Sequence, residues 1–150
     1  MNLKRLAASA LASLAAVVGL SLATAGPAAA DAGVWRSYGS SPIGARWACD
    51  SYKTLATGVT ARVCAIKTVD GTAVQTAVVV RNTKATLYAV EAAADMTTPD
   101  AGFVGRWECP RSGVGAGSFS VCYGVTREQH LYPVEVRGGA NGVNLGLVRY

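Results

Sequence analysis

Ser118-Phe119-Ser120-Val121-Cys122-Tyr123-Gly124-Val125 alternates without a break, with Phe119, Val121, Tyr123 and Val125 on one side and Ser118, Ser120, Cys122 and Gly124 on the other. A period of two marks a β-strand with unlike faces, because successive side chains leave a pleated backbone in opposite directions. The same period occurs upstream, where Val59, Ala61, Val63 and Ala65 alternate with Thr60, Arg62, Cys64 and Ile66. Asp70-Gly71 follows, a dipeptide suited to the positive φ angles of a two-residue hairpin, and Thr72 to Arg81 then carries the run Val78-Val79-Val80. A hairpin with a buried second strand is expected there.

Outward from these two stretches, Asn82-Thr83-Lys84 turns the chain, and Ala85 to Ala94 reads as a strand through Leu87, Ala89 and Val90. Met96 to Gly102 reads as a connector, Gly102 to Cys109 as a strand and Pro110 to Gly117 as a flexible loop. Leu131 to Arg137 and Val143 to Tyr150 are two more strands, separated by a reversal over the glycine-rich residues 138–142. About eight short antiparallel strands result. That spacing of strands and turns predicts an all-β sandwich or small barrel, with residues 31–150 as one domain.

Residues 1–30 have a different composition. Lys4 and Arg5 precede an uncharged run from Leu6 to Leu22; Gly26-Pro27 break it, and Ala28-Ala29-Ala30 offer the small side chains a signal peptidase accepts. A signal peptide cut before Asp31 is expected, giving a secreted, extracellular product; a retained anchor is the alternative. Cleavage removes Lys4 and Arg5, leaving 12 basic residues against 9 acidic ones, a net charge of +3. These charges are spread along the chain rather than blocked together, which gives no footprint for nucleic acid. No apolar run after Ala30 is long enough to span a bilayer, so no membrane contact is expected after cleavage. Residues 31–42 read as a loosely held arm.

Cys49, Cys64, Cys109 and Cys122 make an even set, which in an oxidising compartment implies two disulfides. Three pairings are possible. Arg46-Trp47-Ala48-Cys49 is echoed by Arg106-Trp107-Glu108-Cys109, Val63-Cys64 by Val121-Cys122, and Val80-Arg81-Asn82 by Val136-Arg137-Gly138. The echoes suggest an internal duplication, residues 43–95 and 102–150, as two four-strand units. A pairing that respects it joins Cys49 to Cys64 and Cys109 to Cys122; the alternative joins Cys49 to Cys109 and Cys64 to Cys122. Trp47 and Trp107 are expected to pack on the bridges.

Chemistry-bearing residues are sparse. His130 is the lone histidine, with Glu128 its nearest carboxylate in sequence, but no G-x-S-x-G elbow surrounds a serine. Asp50 and Glu108 beside the cysteines are the other candidate acid pair, of the kind that hydrolyses glycosides when suitably spaced. Both sets read more simply as surface groups. No C-x-x-C or D-x-D-x-D-G spacing occurs, so no metal and no cofactor are expected. Trp35 and Tyr38 in the arm, with Tyr52, could form an exposed stacking platform for sugars. Cys109-Pro110-Arg111-Ser112-Gly113 places a basic residue beside a disulfide: Arg111 would enter the acidic pocket of a trypsin-like protease, with the Arg111–Ser112 bond as bait.

With its signal ending Ala28-Ala29-Ala30 and a small Gly/Val/Thr-rich mature region carrying Trp47, Cys49, Val63 and Cys64, the chain resembles small secreted proteins of actinomycete bacteria. That resemblance implies a compartment and assigns no catalytic residue. The expected function is a non-enzymatic secreted binding or interaction domain, with an extracellular protein or cell-wall glycan as partner. A serine-protease inhibitor presenting Arg111 and a small secreted hydrolase are the alternatives.

Overall fold

The computed structural model describes residues 30–38, 45–128 and 133–150. Among them the chain forms twelve strands: β1 (Asp31–Ala32), β2 (Val34–Ser37), β3 (Arg46–Cys49), β4 (Lys53–Ala56), β5 (Val59–Lys67), β6 (Ala73–Asn82), β7 (Tyr88–Thr98), β8 (Gly102–Val114), β9 (Phe119–Tyr123), β10 (Arg127–Glu128), β11 (Glu135–Ala140) and β12 (Val143–Arg149). They build two sheets. One has five strands in the order β1-β8-β7-β11-β12; the other has seven, in the order β2-β9-β6-β5-β3, with β4 also on β5 and β10 also on β6. Neighbours are antiparallel except β1, which lies parallel to β8. The all-β, two-sheet expectation holds, with twelve strands where about eight were expected. The extra pieces are two to four residues long, too short to show an alternation.

Alternation places the core between the sheets. Val59, Ala61, Val63 and Ala65 of β5 face Val90, Ala92, Ala94 and Met96 of β7, together with Trp107, Val136 and Leu145, and all are buried. Each fully buried side chain of Val or Leu size contributes roughly 1.5–3 kcal/mol, so this layer dominates the stability of the fold. A second, smaller apolar cluster lies on the outward face of the seven-stranded sheet: Cys64, Ile66, Ala77, Val79, Val121 and Tyr123, with Trp47 and Cys49 against it.

The cysteines pair as Cys49–Cys64 and Cys109–Cys122. The two bonds sit in different surroundings. Cys49 is directly opposite Cys64 on adjacent strands, with Cα atoms 4.0 Å apart, so this bond ties β3 to β5 within one sheet. Cys109 lies on β8 and Cys122 on β9, so the other bond joins the two sheets. The tryptophans beside them differ likewise: Trp107 is wholly buried in the inter-sheet core, and Trp47 is half-buried on the outer face beside the Cys49–Cys64 bond. Strands of the two sequence halves are interleaved, because β7 pairs with β8 and β11 in one sheet while β9 and β10 pair with β6 in the other.

Three local expectations change. Residues 110–114 are strand, not loop, so the reversal narrows to residues 115–117. Pro110 is accommodated because β8 is bulged between its pairs with Ala92 and Val90, and β1 on its other side ends opposite Glu108, leaving no ladder bond that requires the missing N–H. Met96 is buried inside β7, which runs to Thr98 and turns directly into β8. Gly138 to Ala140 continue β11, and the reversal is Asn141-Gly142 with φ of 45° and 77°, the pair of positive angles that a tight hairpin demands.

Residues 31–37 are held, not loose. β1 joins the edge of the five-stranded sheet and β2 the edge of the seven-stranded sheet. Gly33 passes between them over the Cys109–Cys122 bond, where a Cβ would lie 2.7 Å from Cys109 Sγ.

Candidate functional site

Arg111 and Ser112 are exposed and close to Cys109, but they belong to β8, with Ser112 paired to Val90 of β7. Trp35 faces inward from β2: it packs on the core, and its Nε1 donates to the Pro110 carbonyl at 2.7 Å, so it is a clasp between the arm and β8 rather than an exposed platform. Tyr38 is exposed, at 50% of its surface. Its ring lies 5.4 Å from Phe119 and 6.2 Å from Trp47, so the sheet gives it partners other than Trp35. His130 lies outside the described residues. Asp50 and Glu108 do not converge: the Asp50 carboxylate accepts from the Ser51 amide at 2.6 Å, and Glu108 accepts from Arg106 Nε at 2.8 Å on the five-stranded sheet.

The register of the seven-stranded sheet brings distant residues together. Arg36 is opposite Val121, Val121 opposite Val79, and Val79 opposite Arg62, which makes one outward row across β2, β9, β6 and β5. Two residues along, Phe119 is opposite Arg81 and Arg81 opposite Thr60. The Arg81 guanidinium stands over the Phe119 ring at 5.5 Å, and that of Arg62 over Tyr52 at 4.6 Å. All nine acidic residues of the chain are among those described, and none shares this region. Glu91, Asp95, Glu108 and Glu135 belong to the five-stranded sheet, with Asp31 on its edge strand. Asp100 and Asp70 sit in hairpin turns, and Glu128 is opposite Ala73, roughly 26 Å along β6 from Arg81 at about 3.3 Å per residue. Asp50 follows Cys49 and is bonded by the Leu147 amide of β12.

The other outer face is balanced. Arg106 pairs with Glu108 and Asp95, at 2.8 and 3.4 Å, and Arg149 with Glu135 at 2.7 Å. The hydrogen bond that Arg106 donates to Glu108 and the charge of Asp95 raise the basicity of Arg106 above its ordinary value. A trough of about 560 Å³ crosses this face, walled by Asp31, Glu91, Arg106 and Glu108 over a floor of Ala93 and Gly139. Among the described residues no cluster of His, Cys, Asp or Glu is arranged to hold a metal ion. Chemically, then, one face offers paired charges around a shallow hollow, and the other offers guanidiniums that have no carboxylate partner among the described residues.

No protein-family model matches the sequence, and no curated protein matches it. Among solved structures the chain is similar to the alkylpurine DNA glycosylase AlkC of Pseudomonas fluorescens, bound to DNA containing an abasic site analogue, with a TM-score of 0.40 and 14% sequence identity. The match covers 71% of this chain and 30% of that one, so the chain spans less than a third of that protein's length. A likeness at this level carries no argument about function.

Sequence reasoning singled out Tyr38 but missed Arg36, Arg62, Arg81 and Phe119. Their common signal is that each occupies an outward position of a strand, and it becomes visible only once the strands are paired.

Proposed function

We propose that the protein is a non-enzymatic binding domain, exported by residues 1–30, that engages a ligand outside the cytoplasm through the outward face of the seven-stranded sheet. One observation carries the reading. Arg36, Arg62 and Arg81, with the exposed rings of Tyr38, Phe119 and Tyr52, share a region that every acidic residue of the chain avoids. Exposed aromatics beside unneutralised arginines are the composition enriched at recognition surfaces. The two disulfides are compatible with the extracellular compartment.

Protease inhibition through Arg111 is less well supported. A bait segment must lie extended in a protease cleft, and one edge of the Arg111–Ser112 segment is already occupied by β7.

The test is expression of the full chain in a secreting bacterial host, followed by N-terminal sequencing of the medium fraction and co-sedimentation with isolated bacterial cell walls. The expected result is a mature chain beginning at Asp31 that sediments with walls, and loses that property in Arg36→Glu/Arg81→Glu. Retention in the cell with an uncut N-terminus would refute export. Wall binding unaffected by the charge reversal would refute the assignment of the face.

A further inference from the structure

We infer that the ligand of this face is an acidic polysaccharide, a chain of sugar rings bearing carboxylates. The inference rests on the reading of the outward face as the binding surface and adds the chemistry of what it binds.

The arginines supply the first part of the argument. A guanidinium presents a planar fork of N–H donors matched to an oxyanion, and it holds its charge at any ordinary pH. In this molecule the forks of Arg106, Arg127, Arg137 and Arg149 are engaged by carboxylates. Those of Arg36, Arg62 and Arg81 have no carboxylate partner among the described residues, where the Arg62 Nε is also shielded from solvent without an acceptor. Two of the three are also fixed in place, Arg81 on Phe119 and Arg62 on Tyr52. A guanidinium already seated on a ring loses less conformational freedom when an anion arrives.

Spacing supplies the second part. Arg62 and Arg81 are diagonal neighbours on adjacent strands, about 7–8 Å apart at the backbone. Arg36 and Arg62 are separated by three strand spacings, about 14 Å. A single small anion can be shared by Arg62 and Arg81, but only anions recurring along an extended polymer are matched to Arg36 as well, on the far side of the buried Val121 and Val79.

The rings discriminate between polymers. Single-stranded nucleic acid is gripped by stacking bases on open aromatic faces. Here the guanidinium of Arg81 lies over Phe119 and that of Arg62 over Tyr52, so the ring with the most free surface of the three is Tyr38, half exposed although it also meets Phe119 and Trp47. One platform with a phenolic hydroxyl suits a sugar ring, whose apolar face lies on the aromatic while its hydroxyls meet polar groups around it. Carboxylates on the adjoining sugars would then reach Arg81, Arg62 and Arg36.

Titration of the secreted protein with polygalacturonate, neutral dextran and oligothymidylate, followed by calorimetry and by aromatic fluorescence, tests the inference. Binding is expected to polygalacturonate alone, weakening as salt is raised to about 0.15 M, where the Debye length is about 8 Å. Arg36→Ala/Arg81→Ala, at two exposed sites, should weaken it by about tenfold or more at an unchanged unfolding temperature. Arg36→Lys/Arg81→Lys should give an intermediate loss, because charge survives and the fork does not. Equal or tighter binding of oligothymidylate would overturn the inference in favour of nucleic acid. Cell-wall sedimentation that polygalacturonate fails to compete would overturn the ligand class while leaving the binding-domain reading intact; loss of both would remove the two together.

Discussion

Gly33 carries the arm across the inter-sheet disulfide, and Gly33→Ala should therefore be costly although the site lies near the edge of both sheets. The added methyl would stand 2.7 Å from Cys109 Sγ, 3.1 Å from the Tyr123 carbonyl oxygen and 3.3 Å from Cys122 Sγ. The nearest of these is about 1 Å inside a comfortable non-bonded separation. None of the three atoms can swing aside, since the sulfurs are bonded to each other and anchored on β8 and β9, and the oxygen is backbone. The arm must yield instead, against the Trp35 bond to Pro110 and the Arg127–Asp31 pair. Overpacking of this kind costs about 1–3 kcal/mol, and the rigidity of the neighbours places Gly33→Ala in the upper half of that range. For a domain of this size the unfolding temperature should fall by about 10 °C. Thermal unfolding with disulfides intact reads the cost, and amide exchange over residues 31–37 reads the displacement of the arm. The decisive measurement is the same substitution in a Cys109→Ala/Cys122→Ala background, where the sulfurs are gone and the cost should largely vanish. A full cost in that background, or none in the parent, would refute the packing of the arm on the disulfide.

Asn82 is buried, and its amide donates to the carbonyls of Thr86, Val114 and Gly115 at 2.9–3.0 Å while its oxygen accepts from the Lys84 amide; Asn82→Ala should cost roughly 2–4 kcal/mol in denaturant unfolding, because it orphans several buried backbone groups at once. Gly146 has φ of 96° and its missing Cβ faces the Asp50 carboxylate, so Gly146→Ala should destabilise by about 1–3 kcal/mol, and by less when combined with Asp50→Ala. The Thr68 hydroxyl and the Thr72 amide and hydroxyl hold the Asp70 carboxyl below the usual carboxylate range. Its folded pKa is thus lower than its unfolded one, so the stabilisation is complete above the unfolded value and is lost as pH falls through the folded one. Asp70→Asn should flatten stability against pH in that acid window, and an unchanged acid slope would refute the assignment.

How much of this fold the sequence discloses depends on the length of uninterrupted alternation. β5, β6 and β9 carry enough consecutive residues for period two to emerge, and they form the centre of the seven-stranded sheet. β8 conceals itself because Pro110 and Gly113 are loop formers in most settings, and only the bulge and the free edge beside it make them compatible with a strand. The repeat-respecting disulfide pairing is the one found, yet the matched residues occupy different places, Cys49–Cys64 inside a sheet and Cys109–Cys122 between sheets. Landmarks in the same order along the chain favour this pairing over its alternative without indicating what each bond accomplishes.

The candidate face is the part that linear reading could not reach, for a reason that lies in sheet geometry. Arg36, Arg62 and Arg81 are separated by 26 and 19 residues, which in sequence looks like an evenly solvated surface. Antiparallel pairing reorders that spacing, because β2, β9, β6 and β5 are adjacent in the sheet but not in the chain. Once paired, every second residue shares a face, so Arg36, Arg62 and Arg81 meet on the seven-stranded sheet without a carboxylate partner among the described residues, while Arg106 and Arg149 meet carboxylates on the five-stranded one. A modest net charge is thus compatible with two dissimilar faces. It is the pairing of arginines with carboxylates on one face and the lack of such partners among the described residues on the other, rather than the net charge, that supports the proposal of an anion-binding surface.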